Sequence, residues 1–370
     1  MPSLSRDGMR IAMMVKGCVC TPPPADIIYS PMQLATQLTR ALAERGHLID
    51  FYGPIGSEVP GAQVVDCGVP PLINDKDEFT EALTDPGLAS DNILGLWDSR
   101  LAQEMFLRAG RDEYDVLYFH HPEVPLPFLA HHPDVPVVSS VYDSPLPPLL
   151  HQAIGMFASP QHRLVAISTA QRRADPGLTF AATIPGGVDT DDFAPDPAAP
   201  PGEHLLFAGR LVPEKGVGDA IEVARRTGHE LRLVGPWYSN SSYFADEISP
   251  HLGERVRYLG PLSLAELRAV LQTRPRALLM PSRHESFGLI IIEALACGIP
   301  VIGPRRGAIP EIVVDGRTGF LADDVDQMVA AVHRLDTIDV DACRADAIRR
   351  FSLDRMADAY ETLFRQVGSA

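Results

Sequence analysis

Two carboxylates on either side of a glycine carry the clearest chemical signal in the sequence. Glu285 lies in a polar loop within PSRHESFGLIIIEALACGIPVIG, and Glu293 follows in an apolar helix predicted to begin at Gly288. Five residues of helix rise about 7 Å, so the two side chains could bracket one ligand. A carboxylate has two acceptor oxygens, which suits vicinal diols. We therefore expect Glu285 to bind sugar hydroxyls and Glu293 to bind ribose hydroxyls.

The start of the same helix is a candidate anion site. The backbone N–H groups of Phe287, Gly288 and Leu289 would face a ligand there, and a diphosphate suits that positive end. The plainer alternative makes Glu285 a helix cap and Glu293 a solvated residue. The apolar neighbours of Glu293 argue against that alternative, because a carboxylate among them needs a partner.

A second chemically active group follows a predicted strand in FAGRLVPEKGV. The strand ends at Gly209 and delivers Arg210 and Lys215 to the carboxyl edge of its sheet. Two cations beside a helix start could neutralise a leaving diphosphate without a metal ion. The alternative is a pair of ordinary exposed loop cations.

Parallel sheets are needed to position these loops, and both halves of the chain alternate between predicted strands and helices. The first half has predicted strands at Met9–Val15, Leu48–Tyr52, Asp115–Phe119, Val135–Val141 and Arg163–Ser168. The second half has them at HLLFAG, ELRLVG, RVRYLG, RALLMP and IPVIGP. Short apolar runs of this kind are typical of parallel strands covered on both faces. We predict an α/β fold with two Rossmann-like, doubly wound domains facing a cleft at the carboxyl ends of their sheets.

Length and local composition divide the chain into two domains. A chain of 370 residues is longer than the usual length of a domain with a single hydrophobic core. The segment from Asp189 to Gly202 is rich in Pro and Asp and lacks apolar periodicity, so we place a linker there. The predicted domains are residues 1–192 and 193–351.

Charge and cysteine usage exclude several partners. The formal net charge of -16 repels nucleic acid and anionic membranes, so any phosphate site must be local. The five cysteines show no metal-binding spacing, which predicts free thiols in a reducing compartment. The first residues lack an apolar signal region and no apolar stretch is long enough to span a bilayer, so we expect a cytoplasmic protein.

Together these motifs resemble the second domain of the family 4 glycosyltransferases, which have the GT-B fold. The resemblance rests on the two spaced glutamates, the Gly-Arg and Lys loop, and the segments RRGAIPEIVVDGRTGFL, TIPGGVDTDDF and FSLDRMADAYETLF. It implies a retaining, metal-independent enzyme that uses a nucleotide sugar as co-substrate, with a UDP- or GDP-sugar favoured. It also implies that residues 352–370 form a helix that packs on the first domain.

The resemblance maps a catalytic histidine onto His120 in FHHPEVP. A neutral His at the carboxyl end of a strand can reach a sugar hydroxyl. His121 is the competitor, because successive side chains along an extended segment point in opposite directions. An ordinary surface or capping role is the alternative for either residue.

Three further positions belong to the predicted site with weaker signals. Tyr258 lies where relatives hold the base with backbone groups, although a tyrosine at a strand end is more often a packing residue. Asp143 matches a position near the acceptor pocket, or is an Asx-turn residue before a proline. Tyr29, with Ser30 and Pro31, stands where relatives have paired glycines, and we place it on the acceptor side.

The predicted reaction retains configuration at the transferred sugar. The loop cations would stabilise the departing diphosphate while an acceptor hydroxyl attacks on the same face and forms an α-glycoside. The acceptor is expected to be a soluble polar molecule, since the segment NDKDEFTEALTDPG is acidic. Rival functions are a nucleotide-sugar epimerase, a phosphorylase, and a sugar-nucleotide-binding partner protein without catalysis. Nucleic acid is excluded as a partner, and a homodimer is a possible assembly.

Overall fold

The computed structural model describes residues 8–24, 27, 29–75, 77–79, 93–198, 200–238 and 241–368. The chain divides into two compact units. The first unit comprises residues 1–185 with 353–370, and the second comprises residues 186–352. Part of the acidic segment NDKDEFTEALTDPG, including residues 80–87, lies outside the described residues.

The first unit is built on a parallel sheet. Its strands are β1 (Arg10–Met14), β2 (Leu48–Tyr52), β3 (Gln63–Val65), β4 (Val116–Phe119), β5 (Val137–Val141), β6 (His162–Ala166) and β7 (Phe180–Thr183). Within the described part of this unit they pair in the order β3-β2-β1-β4-β5-β6-β7. Strands β4 and β5 are buried along their whole length, because helices cover both faces of a sheet of this type.

Helices connect these strands in the described part of the unit. They are α1 (Ser30–Glu44), α2 (Ile93–Ala109), α3 (Leu126–Leu129), α4 (Pro148–Met156) and α5 (Thr169–Ala174). Pro31 lies in the first turn of α1, where its missing N–H costs nothing. Gly46 follows the helix with a φ of +86°, a conformation that favours glycine.

The second unit repeats the architecture with its own parallel sheet. Its strands are β8 (Leu205–Ala208), β9 (Leu231–Val234), β10 (Val256–Tyr258), β11 (Ala277–Leu279), β12 (Val301–Gly303) and β13 (Gly319–Leu321). Among the described residues they pair in the order β10-β9-β8-β11-β12-β13. The predicted α/β class with two doubly wound domains is confirmed.

The helices of the second unit follow its strands, and one more helix ends the chain. They are α6 (Val217–Thr227), α7 (Leu264–Gln272), α8 (Leu289–Ala296), α9 (Ile309–Ile312), α10 (Val325–Val332), α11 (Val340–Phe351) and the terminal α12 (Leu353–Gly368). Helix α12 belongs to the first unit, where the Tyr360 hydroxyl bonds to that of Tyr118 at 2.9 Å. No helix in the described ranges is both long and apolar enough to span a bilayer.

The chain passes between the units earlier than the Pro- and Asp-rich segment predicted. The division falls after Pro185, and the segment from 189 onward belongs to the second unit. The Val188 N–H donates to the Phe351 carbonyl at 2.8 Å, and Phe193 is fully buried. These contacts fix the segment to the second unit, although it lacks a periodic apolar pattern.

Three strands were missing from the sequence prediction, and all lie at the sheet edges. Strands β3, β7 and β13 each end one of the two sheets. They have three or four residues and are only partly buried, so they lack the continuous apolar run that marks the central strands. The predicted free thiols are confirmed, since all five cysteines are unpaired.

Candidate functional site

Each sheet has one point where successive connections turn in opposite directions. In the first unit this point lies between the neighbouring strands β1 and β4, and in the second between β8 and β11. Ligands of doubly wound sheets bind beyond the carboxyl ends of the strands at such a point. The predicted residues His120, Arg210 and Glu285 all follow one of these four strands.

In the second unit, the loop after β8 carries the two predicted cations. Arg210 is exposed, and its guanidinium donates to the Tyr238 hydroxyl at 3.3 Å. Lys215 ends a short 3₁₀ turn, and Gly216 then starts α6 with a φ of +70°. A Cβ atom on Gly216 would lie 2.4 Å from the Pro281 carbonyl oxygen, so glycine lets this loop approach the loop after β11.

An ion pair joins the two loops of the second unit. The Lys215 ammonium donates to the Glu285 carboxylate at 2.6 Å, and the two side chains are 16% and 11% exposed. The Arg283 N–H also donates to the Glu214 carbonyl at 2.8 Å. Because both charges are largely shielded from water, their attraction is stronger than that of a surface pair. The structure thus brings together two residues that lie 70 positions apart.

Glycine also allows a third chain segment to approach Glu285. Gly307 has a φ of +56°, and a Cβ atom there would lie 2.3 Å from the Glu285 carbonyl oxygen. The following Ala308 N–H donates to that same oxygen at 2.9 Å. Gly307 lies in the RRGAIPEIV segment, and the sequence prediction did not assign it to the site. The contact fixes the backbone that carries the Glu285 carboxylate.

Helix α8 begins beside this carboxylate, as predicted. Gly288 precedes the helix with a φ of +94°, and Leu289 is the first helical residue. The Phe287 ring is buried, with its centroid 6.1 Å from that of Phe351, which anchors the start of the helix. The N–H groups of the first turn lack intrahelical acceptors, so this end favours an anion. Glu293 is 4% exposed and lies on the buried part of the helix, which excludes the solvated alternative.

Tyr258 packs within its own unit. Its hydroxyl donates to the Gly235 carbonyl at 3.0 Å, and its ring centroid lies 5.1 Å from that of Phe244. Phe244 in turn stacks on Trp237 at 4.8 Å. The side chain of Tyr258 therefore has a structural role here, and base contact by this region remains a prediction.

In the first unit, the two consecutive histidines have different partners. The His121 Nε2 atom bonds to the Tyr29 hydroxyl at 2.6 Å, and its Nδ1 lies 3.5 Å from a carboxylate oxygen of Glu123. The His120 Nδ1 atom bonds to the Tyr142 hydroxyl at 2.6 Å. The buried Nε2 of His120 has no partner among the residues that the structure describes. This geometry favours His120 as the histidine with a nitrogen left for a ligand.

A partly buried ion-pair network lies beside these histidines and was absent from the sequence prediction. Lys16, in the loop after β1, contacts the carboxylates of Asp98 and Glu123 at 3.2 Å each. Asp98 also accepts the Gly17 N–H at 2.6 Å. Burial alone would lower the pKa of Lys16, but the two carboxylates outweigh it and raise that pKa, so Lys16 stays charged. Burial raises the pKa of Asp98, and the Lys16 ammonium and the Gly17 N–H oppose this effect. With both carboxylates ionised, the network has an excess of one negative charge.

The remaining predicted residues of the first unit lie near the same loops. Tyr29 precedes α1, and its ring is parallel to that of His121 at a centroid distance of 6.1 Å. Asp143 is exposed after β5, and its backbone carbonyl accepts a hydrogen bond from Gln171 at 2.8 Å. No group of three or more His, Cys, Asp or Glu side chains within the described ranges is arranged to hold a metal ion.

Three buried or half-buried histidines predict that the first unit is less stable in acid. Burial lowers the pKa of His120 and His121 well below 6.5 and that of His162 to about 4. Unfolding restores ordinary values near 6.5, so the unfolded chain binds more protons below that pH. The free energy of unfolding should be highest above about pH 6.5. It should fall on acidification by up to about 1.4 kcal/mol per pH unit for each such histidine.

Denaturant unfolding between pH 7.5 and pH 5 measures this dependence, in a range where most carboxylates stay ionised. His162 bonds through Nε2 to the Ser139 hydroxyl at 2.8 Å, and a His162→Gln variant should show a smaller slope than the unmodified chain. A free energy of unfolding that is flat or rises on acidification would contradict the assignment of neutral buried histidines.

The region that holds Arg210, Lys215 and Glu285 matches a known family model. Residues 202–337 match the model described as Glycosyl transferases group 1. The glycogen synthase of Mycobacterium tuberculosis is 37% identical over 168 residues, which are 42% of this chain and 40% of that protein. The D-inositol 3-phosphate glycosyltransferase of Pseudarthrobacter chlorophenolicus is 34% identical over 188 residues, or 45% of this chain and 44% of that protein. The matched region thus spans less than half of these relatives.

Solved structures share the fold over almost the whole chain. A glycosyltransferase involved in avilamycin A biosynthesis superimposes with a TM-score of 0.70 at 22% identity, covering 98% of both chains. The sucrose-phosphate synthase of Thermosynechococcus elongatus gives a TM-score of 0.76 at 18% identity, covering 98% of this chain and 99% of that one. The Anabaena protein HepE, solved with UDP and glucose, gives 0.68 at 17% identity, covering 96% and 99%. At these identities the likeness establishes the fold.

Proposed function

We propose that this chain, whose residues 202–337 match the model described as Glycosyl transferases group 1, is a retaining glycosyltransferase. It transfers a sugar from a nucleoside diphosphate sugar, with UDP- or GDP-sugars favoured, to a hydroxyl of a soluble polar acceptor. The observation that carries the proposal is the ion pair between Lys215 and Glu285. Lys215 follows β8 and Glu285 follows β11, just before α8 begins.

The donor is proposed to bind along the loops of the second unit. The N–H groups at the start of α8 and the cations Arg210 and Lys215 bind the diphosphate. Glu285, oriented by Lys215, accepts hydrogen bonds from hydroxyls of the transferred sugar. Glu293 accepts them from the ribose. HepE, a protein with the same fold, was solved with UDP and glucose, which supports a donor of this class.

The leaving diphosphate is proposed to be stabilised by cations of the protein. Negative charge grows on the diphosphate as the glycosidic bond breaks, and Arg210 and Lys215 are available to balance it. Glu285 bonds to Lys215, and Glu293 lies in the buried part of α8, so both are assigned to binding and neither to nucleophilic attack. A same-face attack by the acceptor hydroxyl, whose proton passes to the departing diphosphate oxygen, then retains configuration. In the first unit, His120 bonds a substrate oxygen.

The acceptor is proposed to carry no anionic group where it meets the first unit. Lys16, Asp98 and Glu123 together have an excess of one negative charge, and Glu123 is the most exposed of the three at 40%. Burial holds His120 and His121 neutral, because it lowers the pKa of both. A phosphorylated acceptor would be repelled there. A sugar, an aminocyclitol or a small polar metabolite fits this charge.

We expect that the protein does not transfer sugar to a membrane lipid. The net charge of -16 disfavours anionic bilayers. The chain should therefore stay in the supernatant when it is sedimented with anionic liposomes at low salt, and it should glycosylate soluble acceptors. Tight liposome binding together with transfer to lipid acceptors alone would contradict this prediction.

Donor screening separates this function from its rivals. Thermal shift with a panel of nucleotide sugars identifies the donor, and mass analysis of reactions with an acceptor panel identifies the product. Apart from slow hydrolysis, a transferase consumes the donor only when an acceptor is present. An epimerase consumes donor without acceptor, a phosphorylase needs free phosphate, and a non-catalytic partner protein binds donor without releasing nucleoside diphosphate.

A further inference from the structure

The contact between His120 and Tyr142 links a predicted catalytic residue to a residue that has no assigned role. The His120 Nδ1 and the Tyr142 hydroxyl oxygen are 2.6 Å apart, and the two rings lie within 4° of parallel. The Tyr118 ring packs against His120 with its centroid at 4.5 Å. His120 is only 1% exposed, so these two aromatic rings fix the orientation of the imidazole.

The proton in this hydrogen bond has a preferred position. Burial raises the pKa of Tyr142 well above 10 and lowers that of His120 well below 6.5, so both groups are neutral. A phenol O–H is a stronger donor than a neutral imidazole N–H, and an imidazole nitrogen is a stronger acceptor than a phenol oxygen. The favoured arrangement has the Tyr142 hydroxyl donating to Nδ1, which leaves the imidazole proton on Nε2.

We propose that Tyr142 is a positioning residue that fixes the Nε2-protonated tautomer of His120. The Nε2–H group then donates to a substrate oxygen, directly or through one water. Nε2 is buried and has no hydrogen-bond partner in the described part of the chain. A buried polar nitrogen without a partner is unfavourable, and a ligand oxygen would supply the missing hydrogen bond. The role in transfer rests on the proposed function, whereas the tautomer assignment does not.

The neighbouring histidine shows why the pairing matters. His121 has the same 2.6 Å contact to a tyrosine hydroxyl, that of Tyr29, but through Nε2. Its Nδ1 lies 3.5 Å from a Glu123 carboxylate oxygen, so each of its nitrogens has a polar side chain nearby. Two adjacent histidines are thus held by two tyrosines through opposite nitrogens, and only His120 keeps its second nitrogen for a ligand.

The tautomer can be measured on the intact protein without any substrate. Nitrogen NMR of protein labelled with ¹⁵N-histidine distinguishes a protonated from an unprotonated ring nitrogen, and a His120→Gln variant assigns the signals. We expect Nε2 to be protonated in the unmodified chain and the tautomer population to change in Tyr142→Phe. Protonation at Nδ1 in the unmodified chain, or an unchanged tautomer in the variant, would overturn the proposal even if no transfer is ever detected.

Kinetics test the consequence for transfer. Tyr142→Phe should lower kcat by about 10- to 100-fold with little change in the donor KM, as expected when an orienting partner of a histidine is lost. Tyr52→Phe is the matched control, because it removes a hydroxyl of a fully buried tyrosine of the same unit that bonds to the Tyr114 hydroxyl. Equal losses of kcat in the two variants would indicate a purely structural effect and refute positioning by Tyr142.

Discussion

Alanine at Lys215 is expected to lower turnover at least about a hundredfold, and alanine at Arg210 to do the same. Both cations lie after β8, and charge develops on the departing diphosphate as the glycosidic bond breaks. Loss of Lys215 has a second effect, because the Glu285 carboxylate, 11% exposed and paired at 2.6 Å, is then left without its partner. Without Lys215, that unpaired carboxylate would repel the diphosphate of the donor.

Steady-state turnover with the identified donor and acceptor measures these effects. Arg225→Ala is the control, since Arg225 is a surface cation of the same unit that pairs with Glu222 and has a side chain 67% exposed. Activity should also survive a chelator, because Arg210 and Lys215, and no metal ion, are proposed to balance the charge of the leaving diphosphate. Loss of activity in chelator that magnesium or manganese restores would refute this, as would an Arg210→Ala or Lys215→Ala variant with nearly unchanged turnover.

Alanine at Glu293 is expected to weaken the binding of nucleoside diphosphate by about 1 to 3 kcal/mol, through lost hydrogen bonds to the ribose. Glu285→Ala should instead leave nucleoside diphosphate binding closer to that of the unmodified chain and lower turnover with the intact donor. The difference follows from the assigned contacts, since Glu285 binds the transferred sugar, which the free diphosphate lacks.

Calorimetric titration of the two variants with nucleoside diphosphate separates these contributions. Glu222→Ala serves as the control for loss of one carboxylate in the same unit, because its side chain is 39% exposed on the surface of α6. If the affinity of Glu293→Ala for nucleoside diphosphate were unchanged, the assignment of Glu293 to the ribose hydroxyls would be wrong. The circular dichroism spectrum and melting temperature of each variant confirm that the unit remains folded.

The sequence alone could predict the loops of the second unit, because their residues share short motifs. Gly209, Arg210 and Lys215 follow one strand within seven residues, and Glu285 and Gly288 follow another. Parallel strands place such loops at one edge of a sheet. The direct contact between Lys215 and Glu285 could not be predicted from spacing, because it depends on how closely the two loops approach at Gly216.

The ion-pair network of the first unit was missed for a different reason. Lys16 could have been noticed as a charged residue directly after a buried strand. Asp98 gave no signal, because it lies in a helix whose sequence reads as partly exposed, and only packing shows that it is buried at 5% exposure. Tyr142 stands next to the predicted Asp143, and the contact with His120 on which its proposed role rests is visible only in the structure.

The most direct test of the central claim is the configuration and mass of the product formed from a nucleotide sugar and a soluble acceptor. Incubation with the donor identified by thermal shift should release nucleoside diphosphate and yield an acceptor heavier by one glycosyl residue. Proton NMR should then show an α-linked sugar from an α-linked donor. A β-linked product would contradict retention, and a donor that binds but never releases nucleoside diphosphate with any acceptor would contradict transfer itself.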